Sequence, residues 1–252
     1  MNKKPRVSPA SLFAGLLDDI ERAGDHTIRR IVIGASLVAV EAARVGLCSN
    51  LGGVLQGVPL DIPEGPQGLV GQSARETARR LLRPGASLTA ASLGLATVNA
   101  LLFPPKDAVP AKAQDLILRH GRGKRVAVAG HFPFVERMGP SFLEFSVLEK
   151  NPRPGDMDLS RAPEVFGRAD LAALTAQTVA NGDLAGILSL LPAAATVMLI
   201  GPSAPFAPSL FAAGVDVIAG CQAEDPEAVL SGVAAGAPFK GLSGALGLVM
   251  EK

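Results

Sequence analysis

The 252-residue chain has no tryptophan and no tyrosine, and its ten phenylalanines are its only aromatic residues. Its own near-ultraviolet absorbance is therefore very weak, so a co-purifying nucleotide would dominate the spectrum. It has two cysteines, Cys48 and Cys221, far apart and outside any Cys-x-x-Cys spacing, which argues against a disulfide scaffold or a structural zinc site. Three histidines, His26, His120 and His131, are too few for a His-rich metal site within one subunit. Charge of one sign is also missing. Lys+Arg at 24 against Asp+Glu at 23 leaves a net charge of +1, so no global field gathers a polyanion, and a nucleic-acid partner is not expected.

The N-terminus is basic but reaches Asp18 and Asp19 before a long apolar core forms, so it does not read as a signal peptide, and cytoplasmic residence is expected. Mean hydropathy is +0.32, and residues 85–105 and 184–215 lack charge. The first stretch carries Ser87, Thr89, Ser92, Thr97 and Asn99; the second carries Pro192, Pro202, Pro205 and Pro208. Polar groups and internal prolines fit a lipid-spanning helix poorly, whereas strands buried on both faces give such runs without a membrane.

What is present divides the chain in two. Ser8 as N-cap, Pro9 at the first helical position, and Leu12, Phe13, Leu16, Leu17 and Ile20 at helical spacing predict a helix up to Gly24. Three β-prone pieces follow, IRRIVIG, LVAVEAA and VGLCSNL, and predict an antiparallel meander. Ser73 to Glu76 reads as a capping box opening a helix through Leu82, and residues 87–102 repeat apolar positions at helical spacing. From residue 112 the rhythm changes. After one more helix, the strands RVAVAG, EFSVLEK, DLAALTA, TVMLIG and VDVIAG follow, with helices between most of them. The expected fold is α/β: a small α+β domain over residues 1–110, then a Rossmann-like, doubly wound parallel sheet over 111–252. The Gly-rich tail has no clear periodicity and is left unassigned.

Ligands of such sheets sit beyond the carboxyl ends of the strands where strand order reverses. With an order of 3-2-1-4-5 the crevice would lie between the first and fourth strands of this half. Those end in Gly130-His131-Phe132-Pro133-Phe134 and Gly201-Pro202-Ser203-Ala204-Pro205. The glycines either let backbone approach a ligand or merely permit tight turns. No Gly-x-Gly-x-x-Gly follows the first strand, and proline donates no amide, so a standard NAD site is disfavoured. Glu149 ends the second strand 19 residues after Gly130, where an acid often binds a ribose hydroxyl, although it is equally a solvated strand end. Asn151 lies in the proline-stiffened loop from Glu149 to Asp156. Thr175, Thr178 and Asn181 follow the third strand, and Asn181 serves either a ligand or the next helix as its cap.

A nucleophile elbow, a phosphate loop and a His-Glu-x-x-His helix are all absent. His131 can act as a metal ligand with Glu149, Asp156 or Cys221, or simply as a hydrogen-bonding cleft residue.

Four segments together carry a resemblance: VAVAGHFPF, VLEKNPRPGD, Thr178-x-x-Asn181-Gly182 and IGPSAP, with weaker matches at Ile33-Gly34 and over residues 94–102. They resemble a family whose members pair an enolase-N-terminal-like domain with a Rossmann-like domain named for heavy-metal chelation. The resemblance implies two domains with a cleft between them lined by these residues. Asp183 departs from the threonine usual in relatives, and an added carboxylate would favour a cation over an anion.

Two functions are expected to compete. One is binding of a small molecule or transition metal at the cleft, in metal homeostasis or metallophore metabolism. The other is a transferase-like enzyme using a nucleoside-type cofactor. The apolar composition also leaves room for a homo-oligomer.

Overall fold

A computed structural model describes residues 7–53 and 62–252. Helix α1 (Pro9–Ala23) starts where the sequence predicts. Ser8 Oγ accepts from Ser11 N at 3.0 Å, and Ser11 Oγ accepts from Ser8 N at 2.9 Å, so two otherwise orphaned amides are satisfied reciprocally. Strands β1 (Arg30–Ile33), β2 (Leu37–Glu41) and β3 (Val45–Ser49) form the expected antiparallel meander. Helix α2 (Ala74–Leu81) is capped by Ser73, whose hydroxyl accepts from Glu76 N at 3.0 Å. The reciprocal half of that box is not what Glu76 does, because its carboxylate turns to Arg79 at 2.6 Å.

Helix α3 (Leu88–Leu101) is buried from Thr89 to Leu101 on every side, not along one stripe. Three of its buried polar residues, Ser92, Thr97 and Asn99, are tolerated there because they find partners. Ser92 and Thr97 hydroxyls donate to Leu88 O and Leu93 O at 2.8 and 2.7 Å, and Asn99 donates to Leu47 O at 2.8 Å. Strand β3 can lie against α3 only because residue 46 is glycine. A Cβ there would stand 2.2 Å from both Ala96 O and Ala100 N.

The second half contributes β4 (Val109–Pro110), α4 (Ala113–Gly121), β5 (Arg125–Ala129), β6 (Glu144–Glu149), β7 (Met157–Asp158) and α5 (Ala162–Gly167). It continues through β8 (Leu171–Thr175), α6 (Gln177–Ala180), α7 (Asp183–Leu190), β9 (Thr196–Ile200), α8 (Pro208–Ala212), β10 (Val217–Ala223), α9 (Pro226–Ala234) and β11 (Ala245–Glu251). The eight strands stand in the order β4-β11-β10-β9-β8-β5-β6-β7. From β10 to β7 all neighbours are parallel, the five expected strands among them.

Two expectations are corrected. The tail forms β11, which pairs antiparallel with β10 and β4, so the sheet is mixed and not wholly parallel. Strand β8 stands between β5 and β9, so the first and fourth strands expected to flank the crevice are not neighbours. Local sequence dictates that these segments are strands; the side on which each crossover returns depends on the helices packed against it.

Alternation along the strands fills both faces. Val126, Val128, Leu171, Ala173, Met198 and Ile200 pack with Leu116 and Ile117 of α4. Ala127, Ala129, Ala172, Leu174, Val197 and Leu199 join a core that also holds Leu16 of α1, Leu95 of α3, Phe166 of α5, Leu188 of α7 and Leu210 of α8. That core therefore runs through both halves of the chain. The buried carboxylate of Asp19 on α1 reinforces the junction by accepting from Ser209 N at the start of α8 at 2.9 Å. Helix α9, capped by Asp225 through Ala228 N at 3.1 Å, covers the small sheet, with Val229, Leu230 and Val233 against Leu37, Ala39 and Leu47. Among the described residues, no helix is long and apolar enough to cross a membrane.

Candidate metal and ligand site

The strand order fixes where a crevice can form. The chain passes from β5 to β6 on one side, returns past β5 to β8, and continues outward through β9 and β10. The reversal therefore lies between β5 and β8, and the loops after Ala129 and Thr175 face each other there. They are close. Gly130 adopts φ +101°, and a Cβ on it would lie 3.2 Å from the Cβ and Cγ2 of Thr175. Glycine at this position allows both the left-handed turn and the approach.

His131 follows directly and is held from two directions. Its backbone amide donates to Glu149 Oε2 at 2.9 Å, while Glu149 Oε1 accepts from Lys150 N at 2.7 Å. Glu149 therefore ties the end of β6 to the turn after β5. The His131 side chain is 7% exposed and the Asp156 side chain 3%, and Nδ1 lies 3.0 and 2.9 Å from Asp156 Oδ1 and Oδ2. A carboxylate only accepts, so Nδ1 carries a proton, and in the neutral imidazole the lone pair is then on Nε2. Nε2 faces Glu136, whose Oε1 is 3.7 Å away and whose side chain is 77% exposed.

The local sequence explains how Asp156 reaches the imidazole. Arg153-Pro154-Gly155-Asp156 closes a turn through Asp156 N to Arg153 O at 2.8 Å, with Gly155 at φ +95°. Proline at the second position and a positive-φ glycine at the third are the requirements of a type II turn. Asp156 Oδ2 also accepts from Arg153 N at 3.0 Å, which locks the carboxylate inward.

The other expected residues divide. Thr178, buried on α6, donates its hydroxyl to Thr175 O at 2.7 Å, and Thr175 Oγ1 accepts from Gln177 N at 3.4 Å. Asn181 precedes Gly182, the N-cap of α7, and its Oδ1 accepts from Asp183 N, the first residue of that helix, at 3.0 Å. Its Nδ2 donates to Asp183 Oδ2 at 2.7 Å, and that carboxylate also pairs with Lys150 at 3.1 Å. The loop after β6 thus bridges from Asp156 beside β5 to Asp183 beyond β8, with Asn151 exposed along it. Phe132 and Phe134 stack with centroids 5.2 Å apart and planes 3° from parallel.

Gly201, Pro202 and Ser203 face elsewhere. Ser203 is buried; its hydroxyl accepts from Ser49 N at 2.8 Å and its carbonyl accepts from Asn99 at 3.1 Å. Pro202 O accepts from the Cys221 thiol at 3.7 Å. These residues join β9 to the N-terminal sheet. Cys221 and Cys48 are buried, and burial pushes both thiols up to about 12. Sequence reasoning missed Glu136 and the Lys150–Asp183 bridge; the only signal for Glu136 was its place in the short connection after His131.

The chain is an α/β protein in which strand order reverses between β5 and β8, and beside that reversal one histidine is oriented by a carboxylate. Residues 112–252 match the family model DUF364 and residues 18–102 the model DUF4213, each described as "Putative heavy-metal chelation". The chain belongs to the DUF364 family, with the DUF4213 region as its N-terminal part. Among solved structures it is similar to a protein with unknown function from the DUF364 family of Desulfitobacterium hafniense DCB-2. Identity there is 24%, covering 96% of this chain and 98% of that one, with a TM-score of 0.83. It is also similar to one of the same description from Pyrococcus horikoshii, at 22% identity, 96% and 100% coverage and a TM-score of 0.79. Both likenesses show the fold. None of the curated proteins matches the chain.

Proposed function

We propose that the protein binds a transition-metal ion or a small metal-bearing ligand in the crevice between the ends of β5 and β8, with His131 Nε2 as the donor. The observation that carries this is the buried His131–Asp156 pair. An imidazole whose far nitrogen donates to a carboxylate has a fixed tautomer and a fixed ring plane, as metal-binding histidines need. The family description points the same way.

The donor chemistry fits borderline ions such as Ni²⁺, Co²⁺, Cu²⁺ or Zn²⁺. Imidazole and carboxylate are the groups at hand, while both thiols are buried and held protonated. In this reading Asp156 and Glu149, expected from sequence as ligands, orient His131 and its loop. The division into an enolase-N-terminal-like unit over 1–110 and a Rossmann-like unit over 111–252 belongs to the same proposal. Equilibrium dialysis followed by elemental analysis tests it. Wild-type protein is expected to retain about one equivalent, and His131→Ala to lose at least about tenfold in affinity. Equal retention by both would end the proposal.

A second reading, an enzyme with a nucleoside-type cofactor, draws support from Glu149 at the end of β6, beside the strand-order reversal. Each Glu149 oxygen keeps a lone pair beyond its backbone bond. Because tyrosine and tryptophan are absent, a purified sample with a strong nucleotide band would favour this reading. A featureless spectrum with no thermal shift on adding nucleotides or adenosyl compounds would remove it.

A further inference from the structure

The donors that the crevice turns toward a metal are few. Both Glu149 oxygens accept backbone amides, and both Asp156 oxygens face Nδ1 of His131. The two donors around His131 that neither a backbone amide nor Nδ1 engages are His131 Nε2 and Glu136 Oε1, 3.7 Å apart. Bonds of about 2.0–2.2 Å to a shared ion bring such atoms to roughly 3.0–3.4 Å. The needed shift of a few tenths of an ångström falls on Glu136, whose side chain is 77% exposed, while His131 stays fixed. Among the described residues, no group of three or more His, Cys, Asp and Glu side chains is placed to hold a metal.

We infer that His131 Nε2 and Glu136 form an open two-donor site whose cargo is a transition-metal ion already held by a small-molecule chelator. This rests on the metal-binding reading above and deepens it. Structural metal sites close with four protein donors and catalytic ones with three, because fewer donors leave the ion to exchange with competing ligands. Two donors are instead what a chelate with two adjacent open positions requires: the chelator supplies the remaining bonds and the protein supplies the last two. The half-buried, stacked Phe132 and Phe134, next to His131 in the chain, add an apolar surface on which the organic part of a chelate can pack. No bond is made or broken beyond exchange of coordinated water for the two side chains.

Untagged full-length protein dialysed against Ni(II)–nitrilotriacetate, which leaves two adjacent positions open, tests this against nickel sulfate at equal concentration. The expected result is about one equivalent of metal and chelator retained together, and at least about tenfold less of the uncomplexed ion. Glu136→Gln and His131→Ala should each lower chelate retention by about tenfold or more. His120→Ala should not, although it removes the other His–carboxylate pair, His120 Nε2 to Glu251 Oε2 at 3.2 Å. Chelate retention by Glu136→Gln equal to wild type would overturn the inference. So would nickel ion held as tightly as the chelate with His131→Ala still abolishing it, a result that leaves the metal-binding reading standing. If wild type retains neither form, both fall. Glu136 is solvent-facing, so its variant should fold, and circular dichroism checks this.

Discussion

The side-chain amide of Asn99, in the last turn of α3, donates to Leu47 O in the N-terminal sheet and to Ser203 O in the turn after β9, at 2.8 and 3.1 Å. One buried NH₂ group thus joins three elements from both halves, and replacing it with an apolar group orphans two carbonyls. Asn99→Leu is expected to cost about 2–4 kcal/mol, since an unsatisfied buried acceptor costs about 1–3. Urea denaturation measures this, and a loss below about 1 kcal/mol would mean water replaces the amide.

Asp156→Asn keeps an acceptor for Nδ1 but removes the negative charge that holds the imidazole in place. Retention of Ni(II)–nitrilotriacetate should fall about 10–100-fold. Unchanged retention would show that Asp156 does not act through His131.

Gly130→Ala places a methyl group 3.2 Å from Thr175 carbons at φ +101°, so steric crowding and backbone strain act together. The expected loss is about 1–3 kcal/mol by chemical denaturation. Adding Thr175→Ala should restore part of it, because the contact with Cγ2 is removed while the contact with Cβ and the φ penalty remain. Full recovery in the double variant would show that strain contributes nothing.

Arg125 forks across both oxygens of Asp170, Nε to Oδ2 at 3.0 Å and Nη2 to Oδ1 at 2.9 Å, and its backbone amide adds a third bond at 2.9 Å. These bonds hold the Asp170 carboxyl below the usual aspartate range. A depressed folded value means the contribution is present above the unfolded value, about 3.9, and is lost as pH falls through the lower folded one. The stability gap between wild type and Asp170→Asn should therefore be constant above about pH 5 and shrink toward pH 2. A gap independent of pH would rule out this linkage. The pair is partly exposed, so the effect is small.

With both thiols buried and pushed up to about 12, neither should react with a thiol-specific disulfide reagent at pH 8 in the native state. Two should react after unfolding in guanidinium. Fast reaction of Cys221 in native protein would mean that the junction around Pro202 and Ser203 opens.

Much of the secondary structure was legible because its signals are local. Ser8-Pro9 and Ser73 cap helices where expected, since a capping bond spans only a few residues. The meander and the five parallel strands followed from β-branched runs broken by glycine. Strand β11 escaped because glycine, leucine and alanine give it no clear alternation; its pairing with β10 makes it a strand. Ser203 illustrates a different failure. It looked like a ligand group at a strand end, but its partners, Ser49 and Asn99, lie more than a hundred residues away in sequence.

The sequence by itself determined the class of fold, the capped helices, the parallel run of strands and the RPGD turn that carries Asp156, because propensity, capping and turn geometry act over a few neighbouring residues. Only the tertiary structure decided that the reversal falls between β5 and β8, that Asp156 and Glu149 serve His131, and that Glu136 faces its free nitrogen. Those relationships depend on which side each crossover packs, a choice made by buried surface summed over distant segments.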